Sequence, residues 1–449
     1  MGKIAIISLL GEKDKGVSIP KGKYEKTGKL HFNYFNNVDD VSIHSFLDDL
    51  KKLKLEPNEV AMDLLIIASS MYGADTRISR EEYGEDSWTR IIDLYIPVSD
   101  SKLWNSHKEL LAEIFKFLTG DIWNITFRDR ADEKLKLCPI GKLPRYKMPY
   151  KTETVCLFSG GLDSFIGAIN LLDKGITPLL VSHSKSADVS PYQDACLKAI
   201  SESYPKNQPS KINAFIRIPK ENLINSEDNT ERGRSFLFLS LGAITASALG
   251  NKSNLIVPEN GLISLNLPLN TSRAGSHSTR TTHPFYFSLM QTLFDNLKLG
   301  VTLKNPFQFK TKGEMISECS KHDLVQTTST MSCSHPSSGR WKGQTIGHCG
   351  YCVPCIIRRS SFKKSTIKDL TSYRTNILDG SQIDITKADG ADIIAFKYMI
   401  NRVKKQPNYL NAAIRITGSL GNDVSQYIDV YRRGIKEVED LLSKVKLKI

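Results

Sequence analysis

Thr154-Val155-Cys156-Leu157-Phe158 runs straight into Ser159-Gly160-Gly161-Leu162-Asp163-Ser164, and a helical pattern, Phe165–Leu172, begins at once. An apolar run, a two-glycine turn and a helix form a strand–loop–helix unit. The glycines let the backbone turn tightly and bring its N–H groups close to a ligand. The helix start adds unpaired N–H groups and the positive end of its dipole, so the unit suits pyrophosphate. Ser159 and Ser164 add hydroxyl donors, with Gly160, Gly161 and Leu162 between them. Asp163 is badly placed to meet phosphate directly; it either helps orient Mg²⁺ or caps the helix. The plainer alternative is a Gly-containing turn with an ordinary cap, and the full string in this context favours the anion site. The loop lacks a GK[ST] ending and is not GxGxxG.

Outward from the loop, strands Val155–Phe158, Pro178–Ser182, Ile212–Ile218 and Asn254–Val257 alternate with helices Phe165–Leu172, Pro191–Ser203 and Ser235–Leu249. That alternation predicts an α/β fold, a doubly wound parallel sheet over 152–330. Upstream, Ile4–Leu10, Leu30–Tyr34, Arg90–Val98 and Trp123–Arg128 read as strands. Val41–Leu53, Val60–Met71 and His107–Leu118 have helical spacing. The expectation is an N-terminal α+β domain over 1–138. Gly73–Ser87, charged and poor in apolar residues, is expected to be an exposed loop. Pro139–Lys151 reads as a linker. Beyond a cysteine-bearing segment at 331–365, a helical extension over 366–449 is strongest at Ala391–Lys404 and Val424–Lys444.

At 449 residues, two or three domains are expected, and 40% hydrophobic with 24% charged residues reads as soluble and globular. The longest apolar candidates, such as Ala61–Met71, fall well short of a membrane span. Ile4–Leu10 reads as a first strand rather than a leader, so a cytoplasmic protein without membrane partners is expected. The net charge of +13 favours anionic partners. Long basic runs and Arg–aromatic interleaving are missing, which favours a basic surface around a nucleotide site over a nucleic-acid groove.

The eight cysteines are unevenly spread. Cys349, Cys352 and Cys355 stand at two-residue spacing with Cys333 upstream, while Cys138, Cys156, Cys196 and Cys319 lie singly. Such spacing lets successive sulfurs face one ion, and four thiolates make a closed structural Zn²⁺ site. An iron–sulfur cluster is the competing occupant. His335 and His348 stand beside cysteines as substitute ligands.

The SGGLDS string resembles the PP-loop (N-type) ATP pyrophosphatases of the adenine nucleotide alpha hydrolase-like fold. Those enzymes bind ATP pyrophosphate in SGGxDS and transfer AMP to a substrate oxygen. Thr327–Phe362, with its Thr-rich lead, CGxCxxC and Arg358-Arg359, resembles the tail of QueC-like 7-cyano-7-deazaguanine synthases. Arg232–Ser240 resembles that family's Arg-led FLS helix. Asn305-Pro306 and Lys310–Met315 resemble its Pro-containing strand and Lys-bearing helix start. The resemblance covers roughly 152–365 and implies an ATP-dependent ligase. The carboxylate of 7-carboxy-7-deazaguanine attacks the α-phosphate, and the acyl-adenylate then meets an amine. It implies Asp163, Ser164, Lys312 and Arg234 as catalytic residues, with Arg280 a further candidate cation. Ser182 and His183 replace the family's YGQ-type strand end beside ATP. Glu259, Asn260, Arg273, Thr279, Arg280 and His283 become substrate-binding candidates, alongside His277 and Thr281. His183 and His283 are candidate bases by location alone.

The chain is longer than the housekeeping synthases. Asn270–Pro284 (NTSRAGSHSTRTTHP) and Tyr431-Arg432-Arg433-Gly434 resemble the anti-phage QatC branch of the Qat system. That branch implies amide formation with an amine on an operon-encoded protein partner. A free nitrile synthase using ammonia, and a tRNA-modifying enzyme, stay open as alternatives.

Overall fold

The structure, a computed structural model, describes every residue except 1, 34–39, 139–151, 185–187, 220–222, 225, 251, 271–279, 341–342, 381, 417 and 449. The expected linker Pro139–Lys151 lies outside the described residues, as do Arg273, His277 and Thr279.

The first sheet contains β1 (Lys3–Leu10), β2 (Lys26–Phe32), β3 (Ile91–Val98) and β4 (Ile122–Asp129) in the order β2-β1-β3-β4. Every pairing is parallel. This corrects the α+β expectation for the N-terminal unit. Helices His44–Lys52 and Glu59–Arg77 cross from β2 to β3, and Ser101–Ser106 with Lys108–Thr119 from β3 to β4. Helical crossovers return the chain in its original direction, which makes the strands parallel. Gly73–Ser87 also departs from expectation. Helix Glu59–Arg77 runs into its first five residues, a short helix Arg80–Tyr83 follows, and Asp75 and Arg80 are buried. Their charges are absorbed by partners: Arg80 and Arg90 both bridge Asp75 and Asp121.

The second sheet contains β5 (Thr154–Leu157), β6 (Leu179–Ser184), β7 (Lys211–Phe215), β8 (Ser253–Ile256) and β9 (Val301–Lys304). Its order, β7-β6-β5-β8-β9, is all parallel and doubly wound. β5 is central; Val155 pairs with Leu179 on one side and Leu255 on the other. Its side chains alternate between two cores. Val155 and Leu157 face one with helix Arg234–Ser247, Cys156 and Phe158 another with helix Leu162–Asp173. β9 stops at Lys304, so Asn305-Pro306, expected within a Pro-containing strand, lies just past its end. The chain reverses between β5→β6 and β8, so the loop after β5 opens at the switch point where such sheets bind ligands.

The two sheets share one hydrophobic core, in which helix Glu59–Arg77 packs on helix Arg234–Ser247. Downstream, helices Ala388–Lys405, Tyr409–Ile416 and Val424–Leu442 form their own core with Ile356 and Ile357. Two short strands, β10 (Gln382–Asp384) and β11 (Lys446–Lys448), pair in parallel within this helical region. No described helix is long and apolar enough to cross a membrane.

Candidate functional site

Gly160 sits at φ +79°, a conformation that costs an ordinary residue about 1–2 kcal/mol. A Cβ there would also meet Gln193 N at 3.0 Å. Gly161 caps helix Leu162–Asp173, so Asp163 falls in its first turn. The serines brace the loop from inside. Ser159 Oγ accepts Gly161 N at 3.3 Å, and Ser164 Oγ donates to Gly161 O at 2.9 Å.

Asp163 is held from two directions. Lys312 Nζ lies 2.8 Å from Oδ1. Oδ2 accepts Asn260 N at 3.1 Å and Asn260 Nδ2 at 2.7 Å. Lys312 opens a short helix whose cap is a reciprocal box. Thr311 Oγ1 accepts Glu314 N at 3.1 Å, and Glu314 Oε2 accepts Thr311 N at 2.9 Å. Helix Val424–Leu442 steadies that helix start. Thr311 donates its hydroxyl to Glu437, and Arg433 reaches Glu314 Oε1 at 3.2 Å and Phe309 O at 2.8 Å.

Beside the loop, a cavity of about 140 Å³ is lined by Ser159, Ser164, Arg234, Phe238, Pro258 and Glu259. It offers hydroxyls, one cation, one carboxyl and an apolar wall. Burial pushes the Glu259 carboxyl up to about 7, with Thr282 donating to it and Asp163 adding to the rise. A carboxyl poised near neutrality can hold a proton or release one at little cost. Burial also lowers Arg234, whose Nε donates to His183 Nδ1 at 3.3 Å.

The remaining candidates divide. Ser182 spends its hydroxyl on Phe158 O at 2.7 Å, tying β6 to the end of β5. His183 is buried between Tyr72 and Phe238. Lys312 does not line the cavity; it reaches the loop through Asp163. Arg280 turns away from the loop, stacking on Phe117 at 4.7 Å and donating to Phe117 O at 2.8 Å. His283 caps helix Pro284–Asn296 and is pushed down to about 3 by burial and then Arg280, so it is neutral at pH 7. Thr282 escaped sequence reasoning. Thr281, Thr282 and His283 point to Ser235, Glu259 and the helix cap respectively, and no periodicity announces such a split.

Cys333, Cys349, Cys352 and Cys355 bring their sulfurs within 4.8 Å of one another. Cys333–Cys352 is 3.8 Å and Cys349–Cys355 is 3.9 Å. Four ligands at Zn–S of about 2.3 Å define a tetrahedron with edges of about 3.8 Å, so the residues fit zinc. Four thiols packed this closely repel one another as thiolates, so full ionisation needs a cation among them. Gly350 turns at φ +95°, where a Cβ would lie 2.3 Å from Thr375 O. Neither histidine joins the cluster. His348 Nε2 accepts Ser332 N at 3.2 Å, and His335 gives its backbone N–H to Cys333 Sγ at 3.3 Å. Arg358 and Arg359 bracket the centre; Arg358 donates to Thr330 and Thr371, and Arg359 stacks on Tyr373. The segment leading to Cys333 borders the loop, with Met331 N donating to Gly160 O at 2.8 Å.

The doubly wound sheet carries a two-glycine loop at its switch point, and beside it lie four clustered thiols that fit a structural zinc. Residues 282–366 match the family model described as QueC: Queuosine biosynthesis protein QueC. The match takes in Lys312 and all four cysteines and ends before the helical extension; the Ser159–Ser164 loop lies outside it. It supports a QueC-like family and, through it, an ATP-using enzyme. No curated protein matches the chain.

Proposed function

We propose that the chain activates a small carboxylic acid by adenylation and passes the acyl group to an amine. The carrying observation is the juxtaposition of the loop with a cavity that contains Arg234 and Glu259, in a chain whose following segment matches the QueC model. Loop N–H groups and the helix start hold pyrophosphate, and Arg234 neutralises charge that develops during transfer. Lys312 fixes Asp163 and adds positive potential behind the loop. Asp163 Oδ1, ion-paired with Lys312 but without a hydrogen bond, is the carboxylate oxygen beside the loop that would hold Mg²⁺, which would neutralise phosphate charge. In the first step a carboxylate oxygen bonds the α-phosphorus and pyrophosphate leaves. In the second, the amine nitrogen bonds the carbonyl carbon, AMP leaves, and the amine gives up a proton. The four cysteines would hold a zinc that clamps the fold, since four thiolates would leave it no open position for chemistry.

The acid we favour is 7-carboxy-7-deazaguanine. Glu259 and the apolar wall of Phe238 and Pro258 suit a flat heterocycle with N–H donors. For the amine we favour an operon-encoded protein partner in anti-phage defence, since the chain carries segments beyond the matched region. The name of the matched family, queuosine biosynthesis, favours a second reading. In it ammonia is the amine, and a second ATP-dependent activation of the amide removes its oxygen to leave a nitrile. Incubating the protein with ATP, Mg²⁺ and the acid should release pyrophosphate, and adding the amine should release AMP. Mass spectrometry with ammonia or with co-expressed neighbours then separates the two acceptors. No acid-dependent pyrophosphate release would remove the substrate assignment. Strongly salt-dependent tRNA binding would favour a tRNA-modifying enzyme instead.

A further inference from the structure

Helix Glu59–Arg77 belongs to the first sheet unit, yet it ends against the residues that place Arg234. Asp75 Oδ2 accepts Gly233 N at 2.8 Å, and Gly233 caps the helix that Arg234 opens. One turn earlier on the same face, Tyr72 sets its ring edge-on to His183 at 6.3 Å. His183 in turn accepts from Arg234 Nε at 3.3 Å. Asp75 is itself immobilised. Its Oδ1 takes Arg80 Nη2 at 3.0 Å and Arg90 Nη2 at 2.9 Å, and Asp75 and Arg90 are fully buried. Arg232, on the other side of Gly233, stacks on Trp88 at 4.8 Å and donates to Thr119 O at 2.9 Å. The interface leaves no slack: a Cβ on Gly233 would lie 2.8 Å from Met71 Sδ and 3.2 Å from Asp75 Oδ2.

We propose that Asp75 is a positioning residue for the loop site, acting through Gly233 to hold Arg234 at the cavity. The N-terminal sheet unit is then a working part of the site. A free arginine side chain has many rotamers, and misplacing a charged group by about 1 Å can cost about a hundredfold in rate. Fixing Arg234 at its backbone through Asp75 and at its Nε through His183 removes much of that freedom. The inference rests on the role proposed above for Arg234, that of neutralising phosphate.

A double-mutant cycle tests it, with inorganic pyrophosphate as the probe in calorimetry and acid-dependent ATP–pyrophosphate exchange as the second readout. Asp75→Asn should weaken pyrophosphate binding about tenfold in the otherwise native chain and less than about twofold in the Arg234→Ala chain, because a residue acting only through Arg234 has nothing left to position. Equal losses in both backgrounds, or none in the first, would overturn the proposal. Should Asp75→Asn fail to fold, Gly233→Ala, which pushes on Met71 and Asp75 without removing a charge, runs the same cycle. Native protein that binds pyrophosphate without acid-dependent exchange sinks the carboxylate reading alone. Native protein that binds no pyrophosphate overturns both.

Discussion

Lys312 Nζ lies 2.8 Å from Asp163 Oδ1 and joins the start of one helix to the first turn of the loop helix. Both side chains are largely buried, at 7% and 13% exposure, so solvent screens the pair little. Lys312→Met leaves the Asp163 carboxylate with Asn260 alone. Removing one partner of a buried pair typically costs about 3–5 kcal/mol. Denaturant melts should show that loss, and the Lys312→Met, Asp163→Asn double variant should be more stable than Lys312→Met alone. A double variant that simply sums the two single losses would show that the pair is not coupled.

Metal analysis of the purified chain should find about one zinc per molecule. Cys349→Ser should lose the metal. Because Met331 donates to Gly160 across the boundary between centre and loop, the same change should weaken nucleotide binding. Chelation should lower the melting temperature of the native chain and leave that of the Cys349→Ser variant unchanged. A brown chromophore with iron in place of zinc would assign the site to a cluster.

Gly350→Ala and Gly160→Ala should separate fold from function. At Gly350 a methyl group would meet backbone, Thr375 O, in a left-handed turn. The cost should be at least about 1–2 kcal/mol, with weakened metal retention. At Gly160 the contact with Gln193 is looser, so melting should shift less while ATP binding is lost. Equal ATP binding by native and Gly160→Ala chains would argue against the loop as the phosphate site.

Glu259 gives a pH signature. Its folded value of about 7 lies above the ordinary 4.5, so its contribution is fully present below about pH 4.5 and is lost as pH rises through about 7. His283, held down at about 3, acts in the opposite sense; its contribution is lost as pH falls from about 6.5 towards 3. The two are separated by Glu259→Gln, which resembles the protonated carboxyl. Its melting temperature relative to the native chain should rise between pH 5 and pH 7.5. An unchanged difference across that window would mean that Glu259 titrates as an exposed carboxyl.

Much of the site was legible along the chain because its parts are local. The tight turn after β5 needs Gly160, the turn between Cys349 and Cys352 needs Gly350, and Ser164 meets Gly161 O within one helical turn. The α/β alternation from Thr154 onward appears as apolar runs of strand length between helical patterns. The charged stretch after Gly73 misled for an equally physical reason. Asp75 and Arg80 look like surface residues until their partners Asp121, Arg90 and Asp228 are known, and these come from distant segments. The first sheet was misjudged because strand direction depends on how crossovers pack, which apolar patterning does not record.

The sequence alone determined a strand–loop–helix turn built on Gly160 and three thiols at two-residue spacing, since both are fixed by backbone geometry over a few residues. Tertiary structure alone decided that Lys312 answers Asp163, that Arg280 faces Phe117 rather than the loop, and that Asp75 reaches Gly233. Buried charges choose partners by proximity after packing, and a group that must be neutralised in a low-dielectric interior takes whichever opposite charge the fold delivers.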